Sequence, residues 1–245
     1  MACLCKYRKS CFAFITLIFI GFSAMAQTHF DGFINPEINL DLKTETPWSY
    51  TFGIAHRSIV FTDIEENNQF DEQVKYEAEF IELNQYTHFK LSEKGKATVA
   101  ARYRFKDIFI DKHDELRLLQ QYSHKIKFNS FTLGQRLRFA QRFREELVLR
   151  WRYRIGASFK LGPALADKEP LIFSASTESV WEFGKYNKPS LGQRFTGEFS
   201  LPIGANSKVD LGLEYRHRNY THQPFTELFL ISALNISLSI SLQIA

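Results

Sequence analysis

Along most of this chain apolar and polar residues alternate one by one. In Trp48–Ile54 the apolar side chains stand at 48, 50, 52 and 54. Val99, Ala101, Tyr103 and Phe105 alternate with Thr98, Ala100, Arg102 and Arg104. The same rhythm runs through Phe131–Phe139, Leu147–Gly156 and Val209–Arg216, and closes the chain from Leu234 to Ile244. Period-two alternation of this length marks β-strands with one apolar and one polar face. Turn signals separate the runs at Thr46-Pro47, Lys94-Gly95, Asp111–Asp114, Asn129-Ser130, Gly162-Pro163, Asn187–Pro189, Gly204–Asn206 and Asn219–Pro224. The pattern predicts about ten to twelve strands, mostly joined as neighbouring hairpins. Gln141–Arg144, followed by Glu145-Glu146, reads as a short polar turn. Residues 61–73, 107–114, 160–170 and 219–225 read as longer connections suited to external contacts.

The contents of the two faces bear on the solvent each one meets. Arginines sit inside the runs, whereas Lys94, Lys96, Lys106, Lys112, Lys160, Lys168, Lys185, Lys188 and Lys208 sit at run ends or in turns. Arginine is the more weakly hydrated cation and the better partner for fixed carboxylates. The opposite face carries Trp48, Tyr50, Tyr103, Phe139, Trp151, Tyr153, Trp181, Phe195, Phe199 and Tyr215. Apolar and aromatic outside with charge inside is the layout of an outer-membrane barrel. Closing the sheet also removes its exposed edges. The predicted fold is therefore all-β, a single antiparallel up-and-down transmembrane β-barrel. Arg102, Arg104, Arg117, Arg136, Arg138, Arg150, Arg152, Arg154, Glu178, Arg194, Glu198, Glu214 and Arg216 are expected to line its lumen, with Glu182 and Asp210 on the same parity. A soluble periplasmic sandwich or lipocalin-like binding barrel is the competing architecture.

The N-terminus changes how the charge is counted. Lys6, Arg8 and Lys9 precede the twelve-residue apolar run Cys11–Phe22, and Ala24-Met25-Ala26 follows. This is the three-part layout of a secretory signal, with an apolar run too short to span a bilayer comfortably. Residues 1–26 are read as a signal peptide and 27–245 as one barrel domain. All three cysteines lie in the signal, so a disulfide, a thiolate metal site and a cysteine nucleophile are excluded from the mature domain. Removing the three basic signal residues from the 31 Lys+Arg leaves 28 against 27 Asp+Glu. That balance gives no support to a nucleic-acid partner. It favours arginines paired with carboxylates in a self-neutralising lumen, with passage of a small anionic solute as the second reading.

Chemistry-bearing motifs add little. No phosphate loop, dinucleotide fingerprint, nucleophile elbow or HExxH helix is present. The histidines at 29, 56, 88, 113, 124, 217 and 222 lack metal-site spacing and read as lumen or interface polar residues. Ser123 and His124 are adjacent in a strand, so they face opposite sides and cannot couple. Ser58, Ser174, His56, His88 and His217 remain open as cross-strand partners for a lipid- or lipopolysaccharide-modifying enzyme. No catalytic residue, cofactor or metal is expected. The expected partners are outer-membrane lipid and the barrel assembly machinery, besides the anionic solute.

Several segments resemble a known family. They are Phe33–Leu40, Ile54–Arg57, Ala101–Phe105, Glu115–Tyr122, Leu133–Phe139 with Gln141–Phe143, Leu149–Arg154, Gln193-Arg194 and Leu213–Arg216. Together they look like the family called domain of unknown function number 2490. The resemblance implies an outer-membrane β-barrel of Gram-negative bacteria with no assigned activity, so no catalytic residue is carried over from it.

Overall fold

The structure, a computed structural model, describes residues 30–66, 69–106, 114–162, 170–185, 188–221 and 224–240. The expected signal peptide, the links 67–68, 107–113 and 163–169, and residues 241–245 lie outside them. Eleven strands follow in order: β1 (Phe30–Thr44), β2 (Trp48–Glu66), β3 (Gln69–Lys90), β4 (Gly95–Lys106), β5 (Glu115–Lys127), β6 (Phe131–Phe143), β7 (Leu147–Leu161), β8 (Leu171–Gly184), β9 (Ser190–Gly204), β10 (Ser207–Arg218) and β11 (Phe225–Ile240). Each pairs with its sequence neighbours, and β1 pairs with β11 to close the barrel.

That closure corrects the expectation of a purely antiparallel barrel. In a meander each strand reverses the one before, so strands one and eleven run the same way. Their seam is parallel, from Phe30 opposite Thr226 to Thr44 opposite Ile240. The other ten seams are antiparallel. An odd count departs from the even strand numbers of bacterial single-chain barrels, although odd-numbered barrels exist.

Most turn signals fall at strand junctions. Gly162 and Asn219 adopt positive φ just beyond β7 and β10, a region that Gly and Asn tolerate best. Two connections read from the sequence are strand instead. Within 61–73, β2 and β3 continue as a paired ribbon from Phe61 opposite Val74 to Glu66 opposite Gln69. Gln141, Arg142 and Phe143 belong to β6, and the turn is confined to 144–146. Register shifts interrupt the β1–β2 seam at Gly32/Phe33, where Phe61 leaves Gly32 no room for a Cβ. Two more shifts, at Arg57/Ser58 and Ile59/Phe61, mark the base of the ribbon.

We call the end carrying turns 45–47, 91–94, 128–130 and 205–206 the lower end, and the opposite one the upper end. Alternation sends every second side chain inward. In β7, Trp151, Tyr153, Ile155, Phe159 and Leu161 are exposed on the outside. Between them Arg150, Arg152 and Arg154 point into the barrel. Across β4 to β6 an inward row of Ala100, Leu119 and Ala140, with Tyr86 of β3, forms a small apolar cluster at mid-height.

Candidate functional site: the arginine-lined lumen

Of the barrel's two faces, only the inner one gathers charge. All fourteen arginines after residue 26 belong to it. Because directly opposed residues share a face, the register fixes their neighbours. Arg104 lies opposite Glu82 on one side and Glu115 on the other. Arg150 lies opposite Glu182, and Glu178 lies between Arg154 and Arg194. Several pairs are of like charge: Arg102 and Arg142 flank Arg117, Arg138 faces Arg152, and Arg194 faces Arg216. Such pairs repel unless carboxylates reach them diagonally.

Seven glutamates supply that compensation for twelve arginines. Glu82 and Glu115 are both wholly buried and each serves three. Glu82 accepts from Arg102 and from Arg104 at 2.8 Å, and forms an ion pair with Arg117 at 3.4 Å. Glu115 accepts from Arg117, from Arg142 at 2.8 Å and from Arg144 at 2.6 Å. Glu182 holds Arg150 and, at 3.0 Å, Arg142. Glu178 accepts from Arg136 at 2.6 Å but meets Arg152 and Arg194 only at 3.7 and 3.8 Å. Glu214 holds Arg216 and meets Arg194 at 3.8 Å. Glu227 accepts from Arg218 at 2.9 Å, and Glu79 meets Arg57 at 3.5 Å. The two remaining arginines bond neutral groups: Arg138 donates to Gln121 and Arg154 to Ser176.

Three inward phenylalanines pack into this charge. Phe33 stacks on Phe229 across the parallel seam, with centroids 4.6 Å apart. Arg216 lies 3.5 Å over Phe229, Arg104 lies 3.4 Å over Phe80, and Arg57 is sandwiched between Phe80 and Phe229 at 4.7 and 4.8 Å. Cation–π attraction is strongest where both groups are desolvated, as they are here.

A cavity of about 460 Å³ remains inside the network. Arg102, Arg104, Arg117, Arg150, Arg152, Arg194 and Arg216 line it, joined by Arg57, Arg142, Arg144, Arg218 and Lys106, against only Glu77, Glu79 and Glu82. Arg136, Arg138 and Arg154 sit below it. Glu198, opposite Ser174 and Gly212, is not among the glutamates that hold an arginine. The residues that line the cavity are thus mostly cationic, while Glu115, Glu178, Glu182, Glu214 and Glu227 pair with many of them from outside the lining. Glu82, Glu115, Glu227, Arg57, Arg142 and the three phenylalanines belong to the site without being among the residues expected from the sequence. Glu82 carried a usable signal, because it shares parity with Asn84 and His88 between the outward Ile81 and Leu83.

The outer face differs throughout. From Leu147 to Leu161, Leu191 to Ile203 and Val209 to Tyr215, the residues of outward parity include no Asp, Glu, Lys or Arg. Aromatic pairs gather toward each end: Trp48 with Phe89, Phe128 with Phe131 and Phe173 with Phe199 below, Tyr103 with Phe105 and Trp181 with Phe183 above. Among the described residues one serine–histidine pair is hydrogen-bonded. Ser58 Oγ lies 2.6 Å from His56 Nε2, while His56 Nδ1 lies 3.1 Å from the Phe80 carbonyl. Ser58 is completely buried, so the bond steadies the strand at its register shift and presents no open nucleophile.

These features define a class: a closed, mixed eleven-stranded β-barrel with an apolar exterior and an arginine-lined interior. The chain belongs to the family described as "Protein of unknown function (DUF2490)", whose profile matches residues 27–226. No curated protein and no solved structure matches it.

Proposed function

We propose that the protein is an outer-membrane β-barrel of Gram-negative bacteria whose lumen forms a narrow pathway favouring anions. The observation that carries this reading is the inversion of the usual globular pattern, with an apolar, aromatic exterior around a charged interior. Along β8, Phe173 and the Trp181–Phe183 pair are eight to ten residues apart. At the usual rise and tilt this corresponds to a band roughly 20–26 Å tall, matching the apolar layer of such barrels. The family match begins at Gln27, directly after the expected cleavage point. In this reading the exterior contacts outer-membrane lipid, and the barrel assembly machinery inserts the exported chain. Inside, the excess of guanidinium groups draws anions and repels cations.

Recovery in the membrane fraction, with heat-modifiable migration on a gel, tests the membrane barrel; release in a soluble wash would sink it. Planar-bilayer recording tests the pathway. The expected result is small channels whose reversal potential in a KCl gradient lies toward the chloride side, a preference weakened by Arg150→Ala or Arg152→Ala. Reconstituted protein that stays silent, or that prefers potassium, would overturn the pathway while leaving the barrel intact.

A further inference from the structure

Arg152 and Arg194 differ from most other arginines of the cavity. Arg104, Arg142 and Arg144 hold carboxylates at 2.6–3.0 Å. Arg152 touches only Glu178 at 3.7 Å, and its Nε is buried without a hydrogen-bond partner. Arg194 reaches Glu178 and Glu214 only at 3.8 Å. Both side chains are largely buried, at 13% and 11% exposed. Desolvated cations with unfilled donors are expensive, and neighbouring cations raise the cost. We propose that the cavity is a binding site for a small multivalent oxyanion of the phosphate class, held between Arg152 and Arg194.

The lining argues for this ligand class over others. Its polar, cationic wall offers no bed for an acyl chain, and about 460 Å³ admits a phosphate or diphosphate group. Guanidinium forks match the paired oxygens of phosphate, which chloride cannot offer. The surplus of cations calls for more than one negative charge. A second cavity of about 360 Å³ shares Arg144, Arg150, Arg194 and Arg218 with the first. It continues past Ser190 and Lys188 to Asn219, beyond the upper ends of β8 to β10, and gives a soluble anion its route of entry. The proposal deepens the reading of an anion-favouring lumen and does not depend on where the barrel resides.

Thermal unfolding of the detergent-folded full-length mature protein, with pyrophosphate against chloride at matched ionic strength, tests the site. Each sample is first shown to be folded by heat-modifiable migration, so that failure of the barrel and failure of the site are told apart. Pyrophosphate should raise Tm by about 5–10 °C at roughly a hundredfold excess over Kd. The Arg152→Gln/Arg194→Gln double variant should lose this response yet melt no lower than the wild type without anion, because repulsion is relieved. If that variant does not fold, Arg152→Lys/Arg194→Lys keeps the charge, loses the fork and should weaken the response. Lys94→Gln, in the exposed turn between β3 and β4, should keep it. No pyrophosphate effect on the folded wild type, or an undiminished one in a folded double variant, would overturn the proposal. Stabilisation by phosphatidic acid vesicles but not by pyrophosphate would also overturn it, because the phosphate would then belong to a lipid headgroup outside the lumen.

Discussion

The upper and lower halves of the lumen share one wall of strands and one parity, yet they are built from opposite materials. Above the Ala100–Leu119–Ala140 row, long arginine and glutamate side chains reach across the interior and fill it around the cavity. Below it Arg136, Arg138 and Arg154 are still inward, but shorter polar residues bond one another toward the lower end. Ser158 bonds Ser174 at 2.9 Å, Gln121 donates to Ser123 at 3.0 Å, and Asn235 donates to Asp210 at 2.7 Å. Lys43, Lys96, Lys125, Lys127, Lys160 and Lys208 share the arginines' parity near the lower rim, where Lys90 faces Lys96 directly. At a fixed barrel circumference, side-chain length sets how far the residues of each half reach across the interior. Desolvation accounts for the choice of cation. Arginine with shared carboxylates suits the packed half, while strongly hydrated lysine suits the rim.

Substitutions can break this contrast at its strongest point first. Glu115→Gln removes a wholly buried carboxylate from three arginines and should cost about 3–5 kcal/mol, read as a lower urea midpoint for the heat-modifiable form. Phe229→Ala, at the parallel seam, should cost about 3 kcal/mol through the cavity it leaves and the lost stack with Arg216. Comparing the Phe33→Ala/Phe229→Ala double variant with the sum of the two single losses would show whether the rings act as a unit, because coupled residues are non-additive.

In the lower half the same measurements should give small numbers. Ser174→Ala removes one side-chain hydrogen bond and should cost about 0.5–1.5 kcal/mol. Lys96→Gln should move stability by no more than about 0.5 kcal/mol, and relief from the facing Lys90 should make the change neutral or favourable. Its effect should instead appear in bilayer recordings as reduced chloride preference. A large stability loss from Ser174→Ala would mean that the lower half is packed as tightly as the upper one.

Much of this was legible along the chain. Runs such as Leu147–Gly156 announce both the strand and the identity of its two faces, because a period of two leaves no other solution. Turn residues such as Gly162 and Asn219 announce the ends. Three parts were not legible. Phe33, Phe80 and Phe229 each adjoin an outward Ile or Leu, as in Phe229-Leu230-Ile231, where apolar residues occupy both parities and periodicity cannot assign a face. Arg142 sits beside Arg144 and Glu145-Glu146, so local composition mimics a turn although pairing with Leu147-Val148 extends the strand. The 61–73 segment reads as polar linkage because its sequence shows no sustained alternation, and only cross-strand pairing makes it strand.

The sequence by itself determined the all-β class, the sorting of arginine to one face and apolar residues to the other, and membership in this family. Those properties depend on local alternation and composition, which any single strand displays. Tertiary structure alone decided the odd strand count with its parallel seam, the sharing of Glu82 and Glu115 among three arginines each, and the arginines left with long contacts. These depend on register and stagger between strands distant in the chain: Phe33 meets Phe229 only when the barrel closes. Overall charge balance could not foretell the lumen either, because closure concentrates every arginine inside while only part of the acidic complement follows.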